Sequence, residues 1–206
     1  MQNSSSLLRW GAVFLLAFQA FCSQNPLETT EARNDRGQLE RWERRKGNFA
    51  KEGLFQRFSP EGKLLEEAHY LADSLEGERK YFYPNGTVES IERYRKGQIH
   101  GKFQNFYEGG QLKIEQDFVH GALTGLSQRY YPNGTLQEKV MLKDNVENGP
   151  FSEYHPNGSL KTEGTFSPSE DGEGLEQGEL KEYDEAGQLV RIADCKDGTC
   201  LTRWKK

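Results

Sequence analysis

The chain has 206 residues, of which 34% are hydrophobic and 29% are charged, and its formal net charge is −5. This acidic balance excludes a protein that binds the phosphate backbone of nucleic acids, because such proteins present clustered lysine and arginine. Twelve of the 22 glycines fall in two series with a repeated spacing, and a periodic array buries apolar surface between neighbouring units rather than in one globular core.

The N-terminal segment has the layout of a secretory signal peptide. Arg9 is the only charged side chain in the first 27 residues, and it precedes an apolar run from Trp10 to Phe21. That run is shorter than the roughly 20 apolar residues that a membrane-spanning helix needs. The pattern predicts a signal peptide over residues 1–22 and an exported protein.

Cys22 follows this apolar run and resembles the modified cysteine of a bacterial lipoprotein signal. The lipoprotein pattern has leucine three residues before the cysteine and a small residue directly before it, whereas this chain has Gln19 and Phe21 there. Two interpretations stay open. Either Cys22 carries a lipid that anchors the protein in a membrane, or cleavage after Cys22 releases a secreted chain. Residues 23–36 are predicted to form a polar tether, and residues 37–52 a degenerate N-terminal cap repeat.

Residues 53–196 contain six copies of a repeat of 24 residues, and five extra residues precede the sixth copy. Each copy has a turn such as Tyr83-Pro84-Asn85-Gly86-Thr87, and Asn-Gly favours the positive φ angles of a tight hairpin turn. The turn glycines are Gly62, Gly86, Gly110, Gly134, Gly158 and Gly187. A second glycine series lies nine residues before the first and begins each copy at Gly53, Gly77, Gly101, Gly125, Gly149 and Gly178.

We number each copy from the glycine that begins it. Position 6 is then aromatic in all six copies: Phe58, Phe82, Phe106, Tyr130, Tyr154 and Tyr183. Positions 12 and 18 are also apolar and share the parity of position 6. Side chains alternate between faces along a strand, so this count places the three columns on one packed face. Aromatic residues beside Asn-Gly turns favour strands. The predicted fold class is all-β, an elongated meander of about six repeated β-hairpins that forms one long twisted sheet.

Position 7 carries three further tyrosines, Tyr83, Tyr107 and Tyr131. By the same count they point away from the packed face and toward solvent. We predict that they bind a partner, because exposed aromatic rings offer stacking and hydrogen bonding. The alternative is that they pack across strands and only stabilise the sheet.

The repeat unit resembles the MORN-repeat variant family of bacteria. The features that carry this resemblance are a glycine, a Tyr-Tyr-Pro-Asn-Gly-Thr-Leu segment such as residues 130–136, and an aromatic residue before the next glycine. The resemblance implies successive hairpins in a single sheet. Many bacterial members of the family are described only as antitoxin-like, so the resemblance implies little about chemistry.

Two cysteines, Cys195 and Cys200, lie at the end of the array with four residues between them. An oxidising compartment would join them in a disulfide, and the alternative is a pair of free thiols. Residues 197–206 are predicted to cap the C-terminal end of the sheet.

No motif in the sequence indicates catalysis. The four histidines occupy different positions in the repeat, without metal-binding spacing. The glycines follow the structural period and form neither a nucleophile elbow nor a phosphate-binding loop. We therefore expect no enzymatic activity, no metal and no cofactor.

The sequence favours an exported, non-catalytic scaffold at the cell envelope that binds a protein or an envelope component. Membrane contact would come only through a lipid on Cys22. One alternative is an antitoxin or immunity protein that masks a cognate toxin. Another is a module that binds envelope glycan.

Overall fold

The computed structural model describes residues 26–206, and every regular element in that range is a β-strand. The strands are β1 Leu27–Arg33, β2 Leu39–Arg45, β3 Lys51–Phe58, β4 Leu64–Leu71, β5 Ser74–Phe82, β6 Val88–Arg95, β7 Gln98–Ile99, β8 Gly101–Phe106, β9 Leu112–Val119, β10 Ala122–Tyr130, β11 Leu136–Lys143, β12 Val146–Tyr154, β13 Leu160–Pro168, β14 Gly174–Glu176, β15 Gly178–Tyr183, β16 Leu189–Lys196 and β17 Thr199–Lys205.

The strands form one antiparallel sheet in chain order. Successive strands pair with each other from β1 to β6 and onward. Two strand positions are interrupted, because β7 and β8 both pair with β6, and β14 and β15 both pair with β13. The predicted all-β meander of repeated hairpins is confirmed. At about 4.8 Å per strand, the sheet extends on the order of 70 Å from β1 to β17.

The hairpin within each repeat closes with a three-residue loop. In the second repeat the amide of Gly86 donates to the carbonyl of Tyr83 at 2.8 Å, and the amide of Tyr83 donates to the carbonyl of Thr87 at 2.9 Å. Gly86 has a φ of 90°, and the six turn glycines span 76° to 90°. The loop is a type I turn followed by a left-handed glycine, with Pro84 where this turn favours proline. It is therefore longer than the tight Asn-Gly turn that the sequence suggested.

Two-residue turns join successive repeats, and a further one joins β16 to β17; the repeat pattern did not predict them. Both central residues have positive φ, which is the type I′ geometry that matches the twist of the flanking strands. The pairs are Ala72-Asp73, Lys96-Gly97, His120-Gly121, Asp144-Asn145 and Asp197-Gly198. The second residue of each pair also bonds to an earlier repeat or strand, as when the Gly97 amide donates to the carbonyl of Leu75 at 2.9 Å.

The glycines at position 1 lie where a strand changes its pairing register against the preceding repeat. Gly125 lies between Leu123 and Ser127, where the pairing of β10 with β9 shifts. Its φ is 121°, and a Cβ added there would lie 3.1 Å from the Cβ of Asp117. Both the backbone conformation and the available space therefore require glycine at this point.

The buried side chains belong to positions 3, 14, 16 and 18, and not to position 6. In the second repeat Tyr81 pairs with Ser90, whereas the next residue, Phe82, pairs with Val88. Strand β6 therefore carries one extra, unpaired residue, at position 13 of the repeat. This bulge changes the parity of everything that follows it. Position 18 therefore packs with position 3. The rings of Phe118 and Phe103, for example, meet edge to face with their centroids 6.2 Å apart. The prediction that positions 6, 12 and 18 share one packed face is wrong.

We call the face that carries positions 3, 5, 14, 16 and 18 the inner face. Its best-buried apolar residues are Phe55, Ala68, Val140, Phe151, Leu180, Ala193 and Cys195. The outer face carries positions 2, 4, 6, 15 and 17. There the half-buried position-6 aromatics contact position 15 of the preceding repeat, as when the Tyr183 hydroxyl donates to Glu163 at 2.8 Å. No other element among residues 26–206 covers either face.

Both ends of the sheet differ from a regular repeat. Strand β1 lies within the segment predicted as a polar tether, and all of its residues pair with β2. The tether prediction is wrong for these residues, because Glu28 and Glu31 form cross-strand ion pairs with Arg44 and Arg41 at 2.8 and 2.6 Å. At the other end, a disulfide between Cys195 and Cys200 joins β16 to β17.

Candidate binding grooves between the repeats

In the second to fifth repeats, the position-7 side chain connects the repeat to the next one. Each tyrosine hydroxyl donates to the backbone carbonyl at position 6 of the following repeat. The bonds run from Tyr83 to Phe106 at 2.7 Å, from Tyr107 to Tyr130 at 2.8 Å and from Tyr131 to Tyr154 at 3.0 Å. In the fifth repeat His155 replaces tyrosine, and its Nε2 lies 3.0 Å from the carbonyl oxygen of Tyr183. A carbonyl oxygen only accepts, so Nε2 of His155 is the donor.

A second set of bonds connects the turns themselves. The side-chain amides of three turn asparagines donate to the carbonyl at position 8 of the following turn. They run from Asn85 to Glu108 at 3.3 Å, from Asn133 to Pro156 at 3.0 Å and from Asn157 to Glu185 at 2.8 Å. The third repeat has Gly109 at this place and lacks the bond. The turns therefore form a ladder with one missing rung.

Two adjacent grooves open beside position 7 on the inner face. Groove 4/5, between the fourth and fifth repeats, has a volume of about 260 Å³ and is lined by Tyr131, Glu138 and Glu153 among others. Groove 5/6, between the fifth and sixth repeats, has a volume of about 460 Å³. Its floor is apolar and consists of Phe151, Leu180 and Val190, and its rim carries Glu153, His155, Lys161, Glu176 and Glu182.

Two departures from the repeat coincide with the larger groove. Position 7 is His155 instead of a tyrosine, which leaves a smaller side chain in the groove. The five-residue insertion forms the turn between β13 and β14, and β14 contributes Glu176 to the lining. The insertion is visible in the sequence as a break in the 24-residue period, but the sequence alone does not place it beside the fifth repeat.

The family comparison adds to this geometry. The model of the MORN repeat variant matches residues 51–72, 75–96, 99–120, 123–144, 147–167 and 176–195, which is more than half of the chain. The chain belongs to the MORN repeat variant family. No curated protein matches it.

One solved structure with some likeness is that of a porin-like protein from Bacteroides uniformis ATCC 8492, with 9% sequence identity. The alignment covers 85% of this chain and 92% of that protein, with a TM-score of 0.22. A likeness this weak carries no argument about fold or function.

The charge of the MORN array is concentrated around groove 5/6. Residues 144–195 contain 13 acidic and three basic residues, a formal net charge of −10, while the rest of the chain carries +5. Within the groove, Lys161 donates to Glu153 at 2.8 Å, which raises the pKa of Lys161. Glu182 pairs with Arg191 at 2.6 Å. Among the described residues, no basic group lies within ion-pair distance of Glu176.

A separate polar cluster interrupts the inner face between the first two MORN repeats. The carboxylate of Glu66 is almost fully buried and pairs with Arg57 and with Arg79, the latter at 2.7 Å. The Arg79 guanidinium lies 4.7 Å from the centre of the Tyr81 ring. Burial and the Glu66 carboxylate raise the pKa of Tyr81 to about 12. Tyr81 therefore stays protonated at neutral pH. The cluster is an ion-pair network in which the carboxylate is buried and the two arginines are partly exposed.

The remaining predicted sites are placed as follows. Cys22 lies outside the described residues. Tyr83, Tyr107 and Tyr131 lie along the inner face with their hydroxyls bonded to backbone. The prediction that they point away from the packed face is therefore wrong, because the bulge at position 13 makes the inner face the packed one. Their role in partner binding stays a prediction. Within residues 26–206, no three acidic, histidine or cysteine side chains come together as a metal site. That range also has no helix of the length and hydrophobicity that spanning a membrane requires.

Proposed function

We propose that this MORN repeat protein is a non-catalytic scaffold that binds a protein partner outside the cytoplasm, at the cell envelope. The observation that carries the proposal is groove 5/6, an open groove of about 460 Å³ with an apolar floor and a charged rim. Ligand sites in proteins are typically concave, apolar at the base and supplied with a few polar groups. This one is built on hydrogen-bonded strands, which hold side chains more rigidly than loops do.

The groove favours binding over catalysis because its described titratable side chains, with the exception of Glu176, already have partners in the protein. His155 uses Nε2 to bond to a backbone carbonyl, and Glu153 and Glu182 are paired with cations. General acid–base catalysis needs a group that can reach a proton on the substrate. Export is supported by the layout of residues 1–22, with Arg9 before an apolar run that ends at Cys22.

Photo-crosslinking in cells that produce the full chain would test this proposal. A photoreactive residue placed at Val190 in the groove, or at Lys102 on the outer face, should give a discrete adduct with a protein. Lys102 is suitable because its side chain is 48% exposed. Adducts with glycan alone would favour the glycan-binding alternative, and no adduct at either position would contradict the proposal.

Metabolic labelling with a fatty-acid analogue, compared with Cys22→Ala, decides between the lipid anchor and a freely secreted chain.

A further inference from the structure

We infer that groove 5/6 takes a basic, extended segment of the partner, in which lysine or arginine side chains flank one apolar side chain. This inference rests on the proposed function, since it names the chemistry of the partner that the scaffold binds. It is carried by the shape of the groove floor and by the uncompensated negative charge around it.

The floor of the groove offers a fixed apolar seat. Phe151 and Leu180 are 6% and 8% exposed, and both pack directly over Gly164. A Cβ added at Gly164 would lie 2.7 Å from the Phe151 ring and 2.9 Å from a Leu180 methyl carbon. The two side chains therefore rest against backbone and cannot sink further. An apolar side chain that enters from solvent would meet their upper surfaces together with Val190.

The rim of the groove has more negative than positive charge. Three carboxylates line it, of which Glu153 pairs with Lys161 and Glu182 pairs with Arg191. Glu176 has no basic partner among the described residues. Its negative charge also acts on the nearby carboxylate of Glu147. Burial, followed by the charges of Glu138 and Glu176, raises the pKa of Glu147. Cations from outside the chain would relieve this repulsion.

The electrostatic field around groove 5/6 is negative, as is the charge of its rim. The formal charge of −10 over residues 144–195 surrounds the groove, whereas the rest of the chain is positive overall. A field of one sign around a groove attracts ligands of the opposite sign and raises their association rate. The basic C-terminal strand of the protein does not supply a free cation through Arg203, because Arg203 of β17 pairs with Asp194 and Glu179. Charge complementarity therefore favours a basic segment from another molecule.

A defined peptide probe tests the inference. The probe is a short fluorescent peptide with lysine and arginine on both sides of one central leucine. Two matched peptides replace the basic residues by glutamate or the leucine by serine. Fluorescence anisotropy with the full chain, at low and at physiological ionic strength, gives the affinities. We expect the basic leucine peptide to bind most tightly and to weaken as salt increases.

Three variants assign the binding to the groove. Glu176→Gln removes the unpaired rim charge and should weaken binding about two- to fivefold. Its matched control, Glu173→Gln, lies in the same insertion but outside the groove lining and should change binding less than about twofold. Val190→Lys places a positive charge on the floor and should weaken binding about tenfold or more. If Val190→Lys does not fold, Thr162→Lys on the groove wall replaces it.

The inference is overturned if Glu173→Gln and Glu176→Gln have equal effects, or if the serine peptide binds as well as the leucine peptide. It is also overturned if the wild-type chain self-associates and Val190→Lys abolishes this, because the occupant is then a second copy. If the peptides do not bind but Val190 still crosslinks to a protein, the scaffold proposal stands and the basic segment is wrong. If neither occurs and Lys102 gives no adduct, the scaffold proposal fails as well.

Discussion

Tyr130 and Tyr131 are adjacent, chemically identical and differently used. The Tyr131 hydroxyl donates to the carbonyl of Tyr154 in the next repeat at 3.0 Å. Within residues 26–206 the Tyr130 hydroxyl has no hydrogen bond to protein. Tyr130 packs on the outer face, where burial and the nearby Glu115 raise its pKa. The aromatic rings of both are half-buried, so only the hydroxyl distinguishes their contributions to stability.

Replacing each tyrosine by phenylalanine separates these contributions. Tyr131→Phe should lower the free energy of unfolding by about 1 kcal/mol, because it removes one hydrogen bond and leaves a partly buried carbonyl without its partner. Tyr130→Phe is the matched control and should change stability by less than about 0.5 kcal/mol. Urea denaturation followed by circular dichroism measures both. If Tyr131→Phe leaves stability unchanged but weakens partner crosslinking, the tyrosine is a binding residue, as the sequence analysis predicted.

At the scale of the element, the turns behave as a stacked column rather than as independent hairpins. Three turns receive a bond from the turn before them, through Asn85, Asn133 and Asn157. The first repeat achieves the same contact with a different residue, since Nζ of Lys63 donates to the carbonyl of Pro84 at 2.7 Å. Gly109 in the third repeat is the exception.

Gly109→Asn should therefore stabilise the protein. Unlike Gly110, which has a φ of 86°, Gly109 is not in the left-handed region, so an L side chain fits the backbone. The nearest atom to an added Cβ is Oε1 of Gln111, the far end of a flexible side chain. Asparagine would restore the missing bond to the next turn and reduce the entropy of the unfolded chain, with an expected gain of about 1 kcal/mol.

Thermal unfolding of Gly109→Asn and of Gly109→Ala measures this gain. Alanine gives the entropic part alone, so the difference between the two variants is the contribution of the side-chain bond. A gain that is the same for both would mean that the asparagine ladder does not stabilise the array. A loss of stability in both would mean that Gly109 is needed for its conformation.

The sequence was sufficient for the repeated hairpins but not for the assignment of faces. The period of 24 residues and the Asn-Gly signals predicted the strands and the turn within each repeat, but not the two-residue turns between repeats. Parity counting failed at position 13, because a bulge such as the one beside Phe82 leaves no mark in an alternating pattern. The buried columns were also hidden, since position 3 contains Arg79 and Ser127 as well as Phe55 and Phe151.

The grooves could not be predicted from one repeat at a time. Groove 5/6 combines Phe151 of one repeat, Leu180 of the next and Glu176 of the insertion between them. Which residues meet across the boundary depends on strand register, and register depends on the position-1 bulges. The sequence did supply the acidic character of this region and the irregular spacing before Gly178. Both signals pointed to the segment without identifying a groove.

At the scale of the whole molecule, the array has no core shared by all repeats. Strand pairing connects each repeat only to its neighbours, and the apolar cluster around Phe151 and Leu180 belongs to repeats four to six. The polar cluster around Glu66 belongs to repeats one and two. Stability in such a chain is approximately a sum of repeat and nearest-neighbour terms. Removing one whole internal unit should leave the remaining interfaces intact.

Deleting residues 101–124, which form the third MORN repeat, should therefore give a folded protein. The repeat that begins at Gly77 would then be followed directly by the repeat that begins at Gly125. Tyr83 would donate to the carbonyl of Tyr130 in place of the carbonyl of Phe106. Small-angle X-ray scattering should show a sheet about 10 Å shorter, because two strand spacings are lost. Binding of the basic leucine peptide should persist, since groove 5/6 lies beyond the deleted unit.

The matched control deletes residues 101–112, half of the same repeat. It would join β7 directly to what remains of β9 and remove the position-1 glycine between them, so the side chains of the joined strand would face the wrong sides of the sheet when it pairs with β6. This deletion should break the array between the second and fourth repeats and lower the free energy of unfolding more than the whole-repeat deletion does. If both deletions are tolerated equally, the 24-residue period is not the structural unit. If the whole-repeat deletion also unfolds, the array is a single cooperative core, and the nearest-neighbour description of this sheet is wrong.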